Sequence, residues 1–185
     1  MNLFFELDLS MLFAASVWLK CLVFDVFMPI ITLVGNKGIL WIIVAVVLFC
    51  NKKTRKSGYA LALAILLCYI IGNVFLKELV MRPRPFETLG ITQLLIAAPD
   101  GFSFPSGHAT SSFAALCVLY ATQKNLRIPA AIYAMLISFS RVYLFVHYPT
   151  DVLCGALLGI GCGYFVLYLL HQFKAHPPLY EYGRN

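Results

Sequence analysis

Three short segments of the chain carry side chains suited to chemistry. The first is Lys77-Glu78-Leu79-Val80-Met81-Arg82-Pro83-Arg84-Pro85, the second Phe104-Pro105-Ser106-Gly107-His108, and the third Ser140-Arg141 followed by His147 and Asp151. Lys77, Arg84 and Arg141 offer three cations. The natural partner of such a cluster is a phosphate, which a guanidinium grips at two points. Arg141 lies inside an otherwise apolar stretch. An unpaired charge at that depth costs about 2.5–3.5 kcal/mol on insertion scales. Lys77 lies one turn from the end of its apolar run, where snorkelling to lipid head groups is the plainer reading. Arg82 is accounted for by head-group contact and receives no further role.

Ser106-Gly107-His108 precedes an apolar run and reads as a helix start. Ser106 is a good N-cap. Free N–H groups at a helix start also bind anions, and Gly107 lets the backbone approach a phosphate oxygen, so Ser106 serves as cap, ligand or both. His147 precedes Tyr148-Pro149, and a residue before proline resists helix. His147 and Tyr148 are therefore expected in a turn, with Pro149 opening the next helix. Asp151 then falls in its first turn, where it complements the helix dipole and is near enough to orient His147 through one ring nitrogen. The other nitrogen is left free as a nucleophile, and His108 is the candidate general acid. Glu78, Glu87 and Asp100 are scattered, so no carboxylate set for magnesium is expected, nor any cofactor. Cys21, Cys50, Cys68, Cys117, Cys154 and Cys162 form no CxxC pair and read as small hydrophobes.

The elements that must position these groups are helices in lipid. Of the 185 residues, 61% are hydrophobic and 12% charged, against about 25% charged in typical soluble chains. Mean hydropathy is +0.84. A soluble domain of this size cannot hide so much apolar surface. Apolar runs at 12–34, 39–50, 59–80, 108–122, 128–146 and 152–170 predict one all-α domain over 1–185, a membrane bundle of about six helices. The first run, interrupted by Lys20, Asp25 and Pro29, reads either as one kinked span or as an interfacial helix followed by a shorter buried one. The second is short, since about 20 residues normally cross a bilayer. Glu6 and Asp8 replace the basic start of a cleavable leader, so the helices themselves are expected to drive insertion. Gly155, Gly159 and Gly163 repeat every fourth residue, which predicts close helix packing.

Chain direction alternates along the last four runs, so the three segments meet at one membrane face. The net charge of +6 comes from basic residues between apolar runs, with no basic face interleaved with aromatics, which excludes a nucleic-acid partner. Lys52, Lys53, Arg55, Lys56, Lys124 and Arg127, with Lys174 and Arg184 of the tail, are expected on the opposite, cytoplasmic side. Lys37, Arg82, Arg84, Glu87 and Asp100 are expected on the side of the site.

Taken together, Lys77-x6-Arg84-Pro85, Pro105-Ser106-Gly107-His108 and Ser140-Arg141-x5-His147-x3-Asp151 resemble the three-part signature of the type-2 phosphatidic acid phosphatase superfamily, membrane branch. The resemblance implies a phosphohistidine at His147, oriented by Asp151, and a proton supplied by His108. It implies phosphate held by Lys77, Arg84, Ser106, Gly107 and Arg141, hydrolysis without metal, and inhibition by vanadate. The small form is similar to bacterial enzymes acting on undecaprenyl pyrophosphate at the outer face of the plasma membrane. Phosphatidylglycerophosphate, phosphatidic acid and diacylglycerol pyrophosphate are substrates of related members. A lipid phosphotransferase and a non-hydrolytic lipid transporter are the competing classes. The transporter leaves the spacing of His108, His147 and Asp151 unexplained. The expected partners are the lipid substrate and the surrounding lipids; no protein partner is implied, because the last four runs suffice to build the site. The apolar segment 89–98 is either a lipid-interface element that admits the chain or an ordinary loop.

Overall fold

A computed structural model describes residues 3–175, all helix and connecting segments, with no strand among them. Helix α1 spans Leu3–Phe13, α2 Leu22–Val34, α3 Ile39–Cys50 and α4 Arg55–Cys68. A π-helical stretch, Tyr69–Leu76, joins α4 to the short α5, Lys77–Val80. Then follow α6 (Pro85–Thr88), α7 (Gly107–Thr122), α8 (Arg127–Tyr143) and α9 (Pro149–Ala175). By length and composition, Leu22–Cys50, Arg55–Thr88 and Pro149–Gln172 are long and apolar enough to cross a membrane. Their outer faces expose large apolar side chains such as Val26, Val47, Phe75, Leu157 and Phe165, which suits lipid and not water.

The first apolar run follows the second of its two sequence readings, one helix and then a separate one. Residues 12–34 are not one helix: the chain leaves helical geometry at 19–21, beside the charge of Lys20. Helix α1 instead lies across the end of the bundle. Its Phe5 ring is 6.0 Å from that of Tyr148, and Phe13 is 6.1 Å from Phe145. Helix α2 then runs antiparallel to α8, since Asp25 accepts from Tyr143 Oη at 2.6 Å and Ile31 O accepts from Tyr133 Oη at 3.1 Å. Helix α3 runs antiparallel to α4, with Gly58 packed on the backbone of Ala45 and Phe49. Because α8 approaches the site end and α4 does too, α2 and α3 travel in the same direction, as one rod broken at 35–38. Lys37 (φ 50°) and Gly38 (φ 71°) take left-handed backbone in the break, a conformation glycine adopts without cost.

The core follows from small residues at helix contacts. Ala45 and Trp41 of α3, Ala60 and Ala64 of α4, and Ala114, Ala115 and Val118 of α7 form one buried cluster that Cys162 and Val166 of α9 complete. Alanine lets backbones approach, so packing rather than the hydrophobic effect binds the rods. Trp41 Nε1 donates to Ser112 Oγ at 2.9 Å, satisfying the one polar handle it brings inside. Gly155, Gly159 and Gly163 seat α9 on α7. A methyl at Gly155 would stand 2.7 Å from Ser106 O, and one at Gly163 2.8 Å from Cys117 Cβ. The stripe is a packing surface and not a groove.

The connection at 51–54, which carries Lys52 and Lys53, and the turn at Lys124–Leu126 lie at the end of the bundle away from the site. Arg184 lies outside the described residues.

Candidate active site

At the other end of the bundle, α5 stops, α7 starts, α8 stops and α9 starts. Met81 (φ 46°) ends α5. Arg84 then precedes α6, its main-chain N–H donating to Glu87 Oε2 at 2.8 Å. Helix α8 ends in a turn where Val146 and His147 N–H groups both donate to Arg141 O, at 3.2 Å each. Pro149 opens α9 as expected, and His147 is held in the turn before it. These termini surround a cavity of about 940 Å³, lined among others by Lys77, Arg84, Gly107, His108, Arg141 and His147.

His147 is 2% exposed, and its two ring nitrogens meet opposite surroundings. Nδ1 faces Ser103 Oγ at 3.4 Å and Asp151 Oδ2 at 3.7 Å. Ser103 spends its one proton on Asp151 Oδ2, at 2.5 Å. Its oxygen therefore only accepts from the ring, which puts the imidazole proton on Nδ1. Nε2 faces Arg84 Nη1 at 3.4 Å. A guanidinium only donates, so Nε2 carries the lone pair. Burial holds the imidazole far below its ordinary range, at about 3; Asp151 pulls it upward, and Arg141 and Arg84 push it further down. The ring is neutral at physiological pH, with its lone pair turned towards the cations.

The carboxylate of Asp151 is fully buried. It accepts from Ser103 Oγ, from Tyr148 N at 2.9 Å and from Arg82 Nη1 at 2.6 Å. The expected direct contact with His147 is longer than a hydrogen bond, and Ser103 fills the angle between them. Arg84 is fixed by three main-chain carbonyls, Gly101 at 2.8 Å, Val146 at 2.9 Å and Asp100 at 3.0 Å. Such a fork cannot swing away from His147. Arg141 is 3% exposed; Nη1 donates to Thr32 Oγ1 of α2, and Nε has no partner. His108 Nε2 and Ser106 Oγ are likewise buried without partners. Orphaned buried donors are rare and each costs roughly 1–3 kcal/mol. The Lys77 ammonium makes no hydrogen bond or ion pair among the described residues.

The structure thus brings Lys77, Arg84, Gly107, His108, Arg141 and His147 onto one cavity wall. Ser106 and Asp151 stand behind it, and both are fully buried. Ser106 occupies the N-cap position, yet its hydroxyl makes no capping bond, so the cap role read from the sequence is not observed. Among the described residues no group of three or more His, Cys, Asp or Glu is arranged to hold a metal ion. Four contributors escaped the sequence reading: Ser103, Thr32, Asp8 and Arg82. Asp8, a charge inside an apolar stretch, was a signal of the same kind as Arg141. Ile96, Ala97 and Ala98 of the segment 89–98 border the cavity, and Leu95 faces outward.

The chain is similar to several known proteins. Undecaprenyl-diphosphatase from Sulfolobus acidocaldarius is 40% identical over 120 residues, 64% of this chain and 58% of that protein. The chain therefore spans less than two thirds of that relative's length. Undecaprenyl-diphosphatase BcrC from Bacillus subtilis is 30% identical over 146 residues, 77% of this chain and 72% of the relative. Among solved structures, LpxE from Aquifex aeolicus superposes with a TM-score of 0.76 at 31% identity, covering 88% of this chain and 95% of its own. A transmembrane PAP2-type phosphatidylglycerolphosphate phosphatase from Bacillus subtilis gives 0.76 at 28% identity, covering 93% and 88%. These likenesses make the chain a membrane protein. With residues 57–175 matching the family as a whole, a stretch that takes in all three signature segments, the chain belongs to the PAP2 superfamily.

Proposed function

We propose that this single membrane domain hydrolyses a lipid phosphate or pyrophosphate through a phosphohistidine, with undecaprenyl pyrophosphate as the preferred substrate. The observation that carries this reading is the orientation of His147: proton on Nδ1 towards Ser103 and Asp151, lone pair on Nε2 towards the cation-lined cavity. Nε2 attacks the terminal phosphorus, forming an N–P bond as the bond from phosphorus to the leaving oxygen breaks. His108 gives that oxygen a proton. Water then attacks phosphorus, the N–P bond breaks, and His108 takes the proton of the water. Lys77, Arg84 and Arg141, with the backbone at Gly107 and the Ser106 hydroxyl, hold the phosphoryl oxygens as charge develops. Orphaned Arg141 Nε and His108 Nε2 support this, because a bound phosphate and its leaving oxygen would supply the partners they lack.

The basic connections lie at the end remote from the site. By the positive-inside rule this supports a site on the outer face of a bacterial plasma membrane. The named relatives support a polyprenyl pyrophosphate first and phosphatidylglycerophosphate second.

The test is phosphate release from undecaprenyl pyrophosphate by detergent-purified protein with EDTA present, beside His147→Ala. Release that disappears in the variant supports the proposal. Release by neither protein removes the preferred substrate and turns the assay to phosphatidylglycerophosphate and phosphatidic acid. Silence on all three favours transfer or transport.

A further inference from the structure

Arg82 stands outside the cavity wall and does not touch His147, yet it holds both groups that do face Nδ1. Its Nη1 donates to Asp151 Oδ1 at 2.6 Å, while its main-chain carbonyl accepts from Ser103 N at 2.8 Å. Both terminal nitrogens make further contacts. Nη2 donates to Asp8 Oδ2 at 2.7 Å, Nη1 reaches Thr150 Oγ1 at 2.8 Å, and the guanidinium carbon lies 3.8 Å from the centre of the Tyr148 ring. Asp8 in turn accepts from Thr150 N at 2.9 Å and Thr150 Oγ1 at 2.5 Å, at the start of α9.

Asp8 and Asp151 are 3% and 0% exposed in their side chains. Two buried carboxylates need a cation between them, and a planar fork spans the gap where an ammonium would reach one at a time. A plain structural ion pair would need only Asp8. The division of the fork between a carboxylate of α1 and the carboxylate behind His147 ties the N-terminal helix to the reacting imidazole.

We propose that Arg82 and Asp8 are positioning residues for His147, acting through Asp151 and Ser103. This rests on the proposed role of His147. Arg82→Gln is expected to lower kcat by about 10–100-fold, the usual scale for a partner that orients a working side chain, with KM within about twofold because no substrate contact is lost. Arg82→Lys restores part of kcat, and Asp8→Asn gives a smaller loss of the same kind. In an Asp151→Asn background, adding Arg82→Gln changes kcat by less than about twofold, since the route is already cut.

A nitrogen-15 histidine spectrum supplies a readout independent of turnover. Wild-type His147 shows the lone pair on Nε2, and Arg82→Gln shows averaged tautomers. Equal loss of kcat in both backgrounds, a rise in KM alone, or an unchanged imidazole spectrum overturns the proposal. A wild type silent on every lipid counts against the proposed function, and the spectrum then decides the role of Arg82 by itself. If Arg82→Gln does not fold, Arg82→Lys and Asp8→Asn carry the same comparison.

Discussion

Helices α7 and α9 touch along most of their length, but their two ends are built differently. Below the first turn, Gly159 and Gly163 rest on Thr110, Ala114 and Cys117. The buried polar side chains nearby are paired, Thr110 Oγ1 donating to Ser106 O at 2.9 Å and Trp41 Nε1 to Ser112 Oγ at 2.9 Å. At the site end the same two helices begin beside Ser106 Oγ, His108 Nε2 and Arg141 Nε, all buried and unpaired. The lower region leaves neither the Thr110 hydroxyl nor the Trp41 indole without a partner. The upper region leaves donors waiting, at a cost to stability that only a ligand offsets. Fold and function therefore separate by depth within one helix pair, and substitutions at the two depths should act on different observables.

The largest effect is expected at Gly159. A side chain there meets the backbone of Thr110 and Ala114, and backbone cannot step aside as a flexible side chain does. Gly159→Leu should exceed the ~1–3 kcal/mol of ordinary overpacking and abolish both folded yield and phosphate release. Size-exclusion profile and thermal unfolding in detergent check this. A stable Gly159→Leu protein would break the comparison on its lower side.

At the upper end Arg141→Gln should behave oppositely. Loss of one preorganised donor to the phosphoryl oxygens lowers kcat by about 10²–10³-fold, while the melting temperature stays level or rises because an unpaired buried donor is removed. If melting falls as far as it does for a glycine variant, Arg141 is part of the frame and the contrast fails.

A smaller effect follows from the neutral His147. In the unfolded chain a histidine titrates near ~6.5; in the folded protein burial keeps this one neutral down to about 3. Below ~6.5 the unfolded chain binds a proton that the folded chain refuses. Its contribution is therefore complete above that pH and is lost on the way down, by up to ~1.4 kcal/mol per unit. Melting temperatures at pH 7.5 and 5.5 should fall further apart in the wild type than in His147→Asn. Equal falls would place the pH dependence elsewhere.

Much of the site was legible because its residues sit in contiguous segments at helix ends. Once four apolar runs alternate in direction, Lys77, His108, Arg141 and His147 must meet at one face, whatever the details of packing. Composition gave the membrane bundle for the same reason: it is a bulk property. What escaped depends on contacts between distant segments. Arg82 meets Asp8 across 74 positions, and Arg141 meets Thr32 across 109. No periodicity encodes such pairs. The break at 35–38 was visible as the gap between the runs 12–34 and 39–50, but hydropathy does not say that the chain continues in the same direction across it. That follows from packing, with Gly35 set between Ile137, Tyr133 and His108. Ser106 misled in a different way. Its type suits an N-cap, but its hydroxyl is left without a partner behind the cavity wall.

The central claim is that His147 Nε2 becomes bonded to phosphorus. The direct test is to trap that bond: turn over para-nitrophenyl phosphate labelled with phosphorus-32 in His108→Ala, whose good leaving group needs no proton, quench in alkali, and map the label by mass spectrometry. Alkali-stable, acid-labile label on the peptide bearing His147, absent when His147→Ala is added, is the expected result. Phosphate release at a measurable rate with no label on protein, or label on another residue, would contradict the account.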